Sequence, residues 1–259
     1  MKGKLHVIKI GGNVIDDPKM LDRFIHDFAA LEGQKILIHG GGKLATQMSD
    51  QLQIPVNLVD GRRITSTENL EVVTMVYAGL ISKKIVAKLA GHQCTAIGLS
   101  GADGNSILAE KRSVIPTDFG WVGDVVDVNT AFIEDLLNKK ITPVFCAISH
   151  DGQGQLLNTN ADTVAAEIAI AMSERYDTTL MYCFEKNGVL QDVNDAQSVI
   201  AYLDYAQYQT LKANKTIHDG MLPKLKNCFH ALANNVKEVK VGTTSMLNKQ
   251  PIICTQISL

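Results

Sequence analysis

Long hydrophobic runs are missing from this chain. No apolar stretch approaches the roughly 18–20 residues that a membrane-spanning helix needs. The run Leu5–Ile10 that follows Lys2 and Lys4 is too short for the core of a secretory signal. A surplus of charge is missing as well. The formal net charge is −2, which argues against nucleic acid or an anionic membrane as the main partner. Cysteine is sparse and scattered: Cys94, Cys146, Cys183, Cys228 and Cys254 contain no Cys-x-x-Cys pair and no histidine at ligand spacing. They read as small buried hydrophobes in a reducing compartment rather than as metal or redox chemistry. A cytoplasmic protein with a small-molecule partner is the expectation these absences leave.

The 259 residues, 46% hydrophobic and 20% charged, suffice for a sizeable core. Short apolar runs rich in β-branched residues recur at Leu5–Ile10, Lys35–His39, Thr95–Leu99, Pro143–Ser149, Thr179–Cys183 and Glu238–Val241. Helical periodicity fills Lys19–Leu31, Lys43–Leu52, Thr67–Leu89, Thr130–Leu137, Ala161–Met172, Tyr205–Leu211 and Leu222–Ala233. Strands that are hydrophobic throughout imply burial on both faces, so the pattern predicts an α/β fold with a mainly parallel sheet between helices. Ile107–Val128 lacks helical period and predicts hairpins, and Asp151-Gly152-Gln153-Gly154 predicts a turn before another short strand. A composition shift near Asp177 suggests two lobes, 1–176 and 177–259.

Several junctions carry chemistry. Lys9-Ile10-Gly11-Gly12 follows a strand directly; it suits close approach of a phosphate, although taken alone a tight turn with a solvated lysine is the commoner reading. His39-Gly40-Gly41-Gly42-Lys43 repeats the layout at a helix start, where free N–H groups and the helix dipole favour an anion. It is neither a Walker loop nor a dinucleotide fingerprint, and His39 reads as structural. Asp60-Gly61-Arg62-Arg63-Ile64-Thr65 offers a guanidinium that can grip a carboxylate, or a solvated arginine pair. In Leu156-Leu157-Asn158-Thr159-Asn160-Ala161-Asp162 the two asparagines share one side of an extended segment. Asn160 is an N-cap candidate, with Asp162 in the first helical turn. That carboxylate is placed to hold two lysines by charge-assisted hydrogen bonds. Asp219-Gly220-Met221-Leu222-Pro223-Lys224 delivers a second lysine at a helix start. Fixed positive charge from two directions is what phosphoryl transfer wants.

These five elements, in this order and over roughly residues 5 to 257, resemble the amino-acid kinase family, and within it the members acting on an N-acylated glutamate. The resemblance implies a three-layer αβα sandwich, with an acyl-amino-acid lobe that also dimerises through Thr67–Leu89 and a C-terminal ATP lobe. It implies ATP-dependent phosphorylation of the γ-carboxylate of N-acetyl-L-glutamate in arginine biosynthesis. The alternatives are the same reaction on N-succinyl-L-glutamate, for which Arg62 and Tyr77 leave room, and a non-catalytic amino-acid or nucleotide sensor. Carried over, Lys9 and Lys224 stabilise the transferred phosphoryl group and Asp162 orients both. Gly41, Gly42, Arg63 and Asn158 bind the acylated glutamate. Gly11 and Gly12 contact phosphates, while Glu185, Gly188, Asp219, Gly220 and Met221 belong to the nucleotide site. Where the family has a Ser/Thr-Asp-Val stretch, this chain reads Phe184-Glu185-Lys186-Asn187-Gly188. ATP is the co-substrate, with Mg²⁺ carried on its phosphates and no protein metal site. A start at the first strand implies an arginine-insensitive homodimer.

Overall fold

The structure is a computed structural model that describes residues 2–59, 61–214, 216–217, 220–248 and 253–259. The strand β1 (Gly3–Ile10) is central, with β2 (Gln34–His39) on one side and β11 (Tyr176–Cys183) on the other, both parallel to it. Beyond β2 lie β8 (Thr142–Cys146) and then β5 (Ala96–Leu99), also parallel. Beyond β11 lie β13 (Glu238–Gly242), β14 (Cys254–Ile257) and the short β12 (Tyr202–Leu203). Only the β13–β14 pairing is antiparallel, so the eight-stranded sheet is mainly parallel, as the hydrophobic strand runs predict.

Alternation along β1 divides the core. Leu5 and Val7 join Tyr182 and residues of α7 (Ala161–Ser173) and α9 (Met221–Ala233) on one face. Ile8 and Ile10 join Phe24, Ala45 and Val73 on the other. Those residues belong to α2 (Pro18–Ala30), α3 (Gly42–Gln51) and α4 (Thr67–Thr74). Period two therefore puts Lys9 on the α7–α9 face, at the carboxyl end of β1. The chain leaves β1 toward β2, whereas β11 lies on the opposite side. Such a switch point is where open α/β sheets form their ligand crevice.

The antiparallel parts are local. β6 (Ile107–Lys111) and β7 (Gly123–Val128) form the expected hairpin, and β9 (Ile148–His150) and β10 (Leu156–Asn158) the expected second one. Together they make a four-stranded sheet through the β6–β9 pairing. The predicted strand Pro143–Ser149 is thus two strands, broken at Ala147 where the chain passes from the large sheet to the small one. The predicted helix Thr67–Leu89 is α4, a π-helical segment Met75–Ile81, and α5 (Ser82–Gly91). The short helix α1 (Gly12–Asp16) and the hairpin of β3 (Asn57–Val59) with β4 (Arg62–Ile64) were not expected. Neither is long enough to show a hydrophobic period.

Candidate active site

Asn160 does cap α7: its side chain accepts from the N–H groups of Asp162 at 2.8 Å and Thr163 at 3.2 Å. The cap fixes Asp162 in the first turn, facing β1. Lys9 Nζ stands 2.6 Å from Asp162 Oδ1, an ion pair, while Lys224 Nζ donates to Oδ2 at 2.8 Å. Two lysines 215 positions apart in the chain thus share one carboxylate and carry one excess positive charge among them.

Electrostatics makes the trio tense. Burial alone would raise the Asp162 carboxyl, but attraction to Lys9 and Lys224 overrides it and holds the group far below the usual carboxylate range. Burial lowers Lys9, and repulsion from Lys224 adds to that against the pull of Asp162. A buried cluster short of negative charge is a receptor for an anion.

One residue of this cluster was missed. Tyr182, the register partner of Lys9 on β11, donates its hydroxyl to the Asp162 carbonyl at 2.8 Å. Its ring lies 4.9 Å below Lys224 Nζ, a cation–π contact. In sequence it was one more apolar position of a buried strand; only the register puts it beside Lys9.

A cavity of about 1010 Å³ opens beside the trio, lined by Lys9 and Asp162 together with Gly41, Gly42, Arg63 and Asn158. The structure thus brings together all four residues expected to hold the acyl-amino acid. Arg63 is 9% exposed, and its guanidinium donates to Asn69 Oδ1 (3.1 Å), the Gly42 carbonyl (3.1 Å) and Thr46 Oγ1 (2.7 Å). All three acceptors are neutral, and no carboxylate pairs with Arg63 among the described residues. A buried cation in that condition favours an anionic ligand. Asn158, also in the cavity wall, donates to Thr65 Oγ1 at 3.0 Å, and its side-chain oxygen has no protein donor among the described residues.

The phosphate and nucleotide residues separate. Gly12 opens α1 and lines the cavity, but the Gly11 N–H is engaged by the Cys183 carbonyl at 3.0 Å. Glu185 and Gly188 do not line the cavity. Gly188 is buried where a side-chain carbon would stand 2.5 Å from Thr255 Oγ1, so packing already accounts for the glycine there. Gly220 and Met221 form the start of α9 that carries Lys224, outside the cavity wall. Asp219 lies outside the described residues. His39 is fully buried, its Nδ1–H donating to the Gly40 carbonyl at 2.9 Å, in keeping with a structural role.

Two lysines bridged by one carboxylate at the switch point of a parallel sheet, beside a glycine-walled cleft, define a phosphate-handling α/β protein. The sequence model of the amino acid kinase family matches residues 4–243, and the chain belongs to that family. It is similar to the acetylglutamate kinase of Bacteroides fragilis, 49% identical over 96% of this chain and 95% of that one. It is also similar to the acetylglutamate kinase of Cytophaga hutchinsonii, 47% identical over 98% of both chains. Among solved structures, smu.665 from Streptococcus mutans UA159 has a TM-score of 0.80 over 100% of this chain and 99% of that one. At 24% identity that likeness speaks for the fold alone.

Proposed function

We propose that this chain transfers the γ-phosphoryl group of ATP to the γ-carboxylate of N-acetyl-L-glutamate, giving N-acetylglutamyl 5-phosphate and ADP in arginine biosynthesis. The observation that carries the reading is the Lys9–Asp162–Lys224 cluster beside a cleft lined by Arg63, which pairs with no carboxylate among the described residues. The acetylglutamate kinases of Bacteroides fragilis and Cytophaga hutchinsonii, similar over nearly the whole chain, support it.

The chemistry needs no general base, because the attacking γ-carboxylate is already ionised at neutral pH. Lys9 reaches the transferred group from the β1 side and Lys224 from the α9 side, where charge builds on the leaving ADP. Asp162 is an organiser, since a carboxylate held that acidic does not accept a proton at neutral pH. Arg63 grips the substrate α-carboxylate and Asn158 meets its amide. Gly41 and Gly42 let the substrate approach the backbone, and Gly12 offers an N–H to phosphate. Glu185, Gly188, Asp219, Gly220 and Met221 belong to the nucleotide side. Mg²⁺ enters on the ATP phosphates with mostly water ligands. Among the described residues no group of three or more His, Cys, Asp or Glu side chains is placed to hold a metal.

The reading divides the molecule into an acyl-amino-acid lobe, 1–176, and a nucleotide lobe, 177–259. It places the enzyme in the cytoplasm as a homodimer. Met75 and Leu80, exposed on the long helix, offer its twin an apolar contact. No helix among the described residues is long and apolar enough to cross a membrane.

A second acyl group deserves a place in the assay. Arg62 lines the same cavity without an ion-pair partner among the described residues, and Arg112 stands there paired with Asp124. Cations at that wall favour an acyl chain ending in a carboxylate, as in N-succinyl-L-glutamate. ADP release should be measured with N-acetylglutamate, N-succinylglutamate and free glutamate. Turnover with an acylated substrate far above free glutamate is expected; no turnover with any of the three rejects the kinase reading.

A further inference from the structure

The π-helical segment Met75–Ile81 interrupts the long helix where it crosses the glycine loop. π-turns are poorer than α-turns and cluster at functional sites. Here the turn presses Tyr77 and Ile81 onto Gly41. A side-chain carbon at Gly41 would lie 2.2 Å from Ile81 Cδ1 and 3.1 Å from Tyr77 Cδ1, and Gly41 has φ +155°. The Tyr77 hydroxyl comes within 3.7 Å of the same position at Gly42. Tyr77 is 6% exposed and lines the cavity, yet its hydroxyl makes no hydrogen bond among the described residues.

The Tyr77 ring is packed away while the hydroxyl opens on the cavity with no protein partner among the described residues, so a ligand group entering there can accept its hydrogen bond. Its neighbour identifies the ligand group. Burial pushes the Tyr77 phenol up, with the Arg63 charge pulling the other way, so the two groups lie within electrostatic reach. The phenol is therefore a protonated donor at neutral pH. Arg63 holds the Gly42 carbonyl of the same loop and lines the same cavity. Two donors, one charged and one neutral, converge on the wall formed by Gly41 and Gly42, and neither has an anionic acceptor among the described residues.

We infer that Tyr77 is a further substrate-binding residue, its hydroxyl donating a hydrogen bond to the α-carboxylate that Arg63 grips. The inference rests on the reading of an acylated glutamate in this cleft. The π-turn is the device that brings the hydroxyl there, and the ring closes the space over Gly41. Because the γ-carboxylate reacts at the other end of the substrate, the contact acts on binding and selection rather than on the chemical step.

Tyr77→Phe keeps the ring and its packing while removing the donor. The expected result is a KM for N-acetylglutamate raised roughly tenfold or more, the usual cost of a hydrogen bond to a charged group, with much smaller changes in kcat and in the KM for ATP. The α-carboxamide of N-acetylglutamate, which keeps the reactive γ-carboxylate, locates the contact. Tyr77→Phe should discriminate against it less than the wild type does, by a similar factor. An unchanged KM for N-acetylglutamate overturns the inference and leaves Tyr77 a packing residue. So does a raised KM with the carboxamide penalty undiminished, since the hydroxyl would then meet another part of the substrate. Absence of wild-type turnover overturns the substrate reading itself, and is seen before any variant is made.

Discussion

At the scale of single residues, the site is governed by one unbalanced charge. Asp162 neutralises one of the two lysines it touches and leaves the other's charge unbalanced, which the proposed reaction would use on the incoming phosphate. Removing either lysine therefore balances the ground state while stripping the transition state of a donor. For Lys9→Ala and Lys224→Ala, kcat should fall roughly 10²–10³-fold, the cost of one preorganised transition-state donor. The fold should survive, because each truncation leaves Asp162 paired with the remaining lysine. Single-turnover kinetics with circular dichroism as a folding control checks this. Near-normal turnover in either variant would remove that lysine from the chemistry.

At the scale of elements, the cleft depends on how the small sheet docks on the long helix. The loop between β6 and β7 makes a parallel bridge to the segment after β4. Thr65 N–H donates to the Phe119 carbonyl at 2.9 Å, and Trp121 N–H donates to the Thr65 carbonyl at 2.8 Å. Thr65 also receives Asn158, whose N–H meets the Trp121 carbonyl at 2.9 Å. Gly120 sits at the crossing with φ +69°, and a side-chain carbon there would stand 2.2 Å from the Thr65 carbonyl oxygen. No rotamer relieves a clash with backbone, so Gly120→Ala must push the loop away. The expected cost is about 2 kcal/mol or more of stability, with a raised KM for the acyl substrate because Asn158 loses its reference point. Urea unfolding and steady-state kinetics measure the two effects. A variant of wild-type stability and KM would mean that the docking is dispensable.

The same junction marks the limit of what can be read from sequence at this scale. The hairpins around Phe119 and Asp151 were legible from turn residues and alternation, and Asn160 and Asp162 from capping chemistry. Thr65 and Tyr182 were not, since their roles come from partners 93 and 20 residues away that only the assembled sheet brings near. The π-turn escaped for a different reason. It preserves the apolar stripe of a helix, so hydrophobic period registers one long element and misses the extra residue in the turn.

At the scale of the whole molecule, the parallel sheet was legible because its central strands are buried on both faces. The candidate site was legible because glycine-rich strand ends announce themselves. Burial of that depth also leaves a mark on stability. His39, fully enclosed at the end of β2 with Nε2 unpartnered, is pushed down from 6.5 to about 4, chiefly by burial. Between those values the unfolded chain binds a proton that the folded chain refuses. The His39 contribution is therefore intact above about pH 6.5 and is lost as pH falls toward 4, by about 3 kcal/mol in all. His6, lowered first by burial and then by Lys240, adds to the slope in the same direction. Asp162 does not, because a carboxylate held so low stabilises the fold above its unfolded value and gives way only in stronger acid. Urea unfolding at pH 7 and pH 4.5 should thus find a loss in the wild type that is smaller by about 2–3 kcal/mol in His39→Asn, which keeps a side-chain donor for the Gly40 carbonyl. Equal losses in the two proteins would place the acid sensitivity elsewhere in the fold.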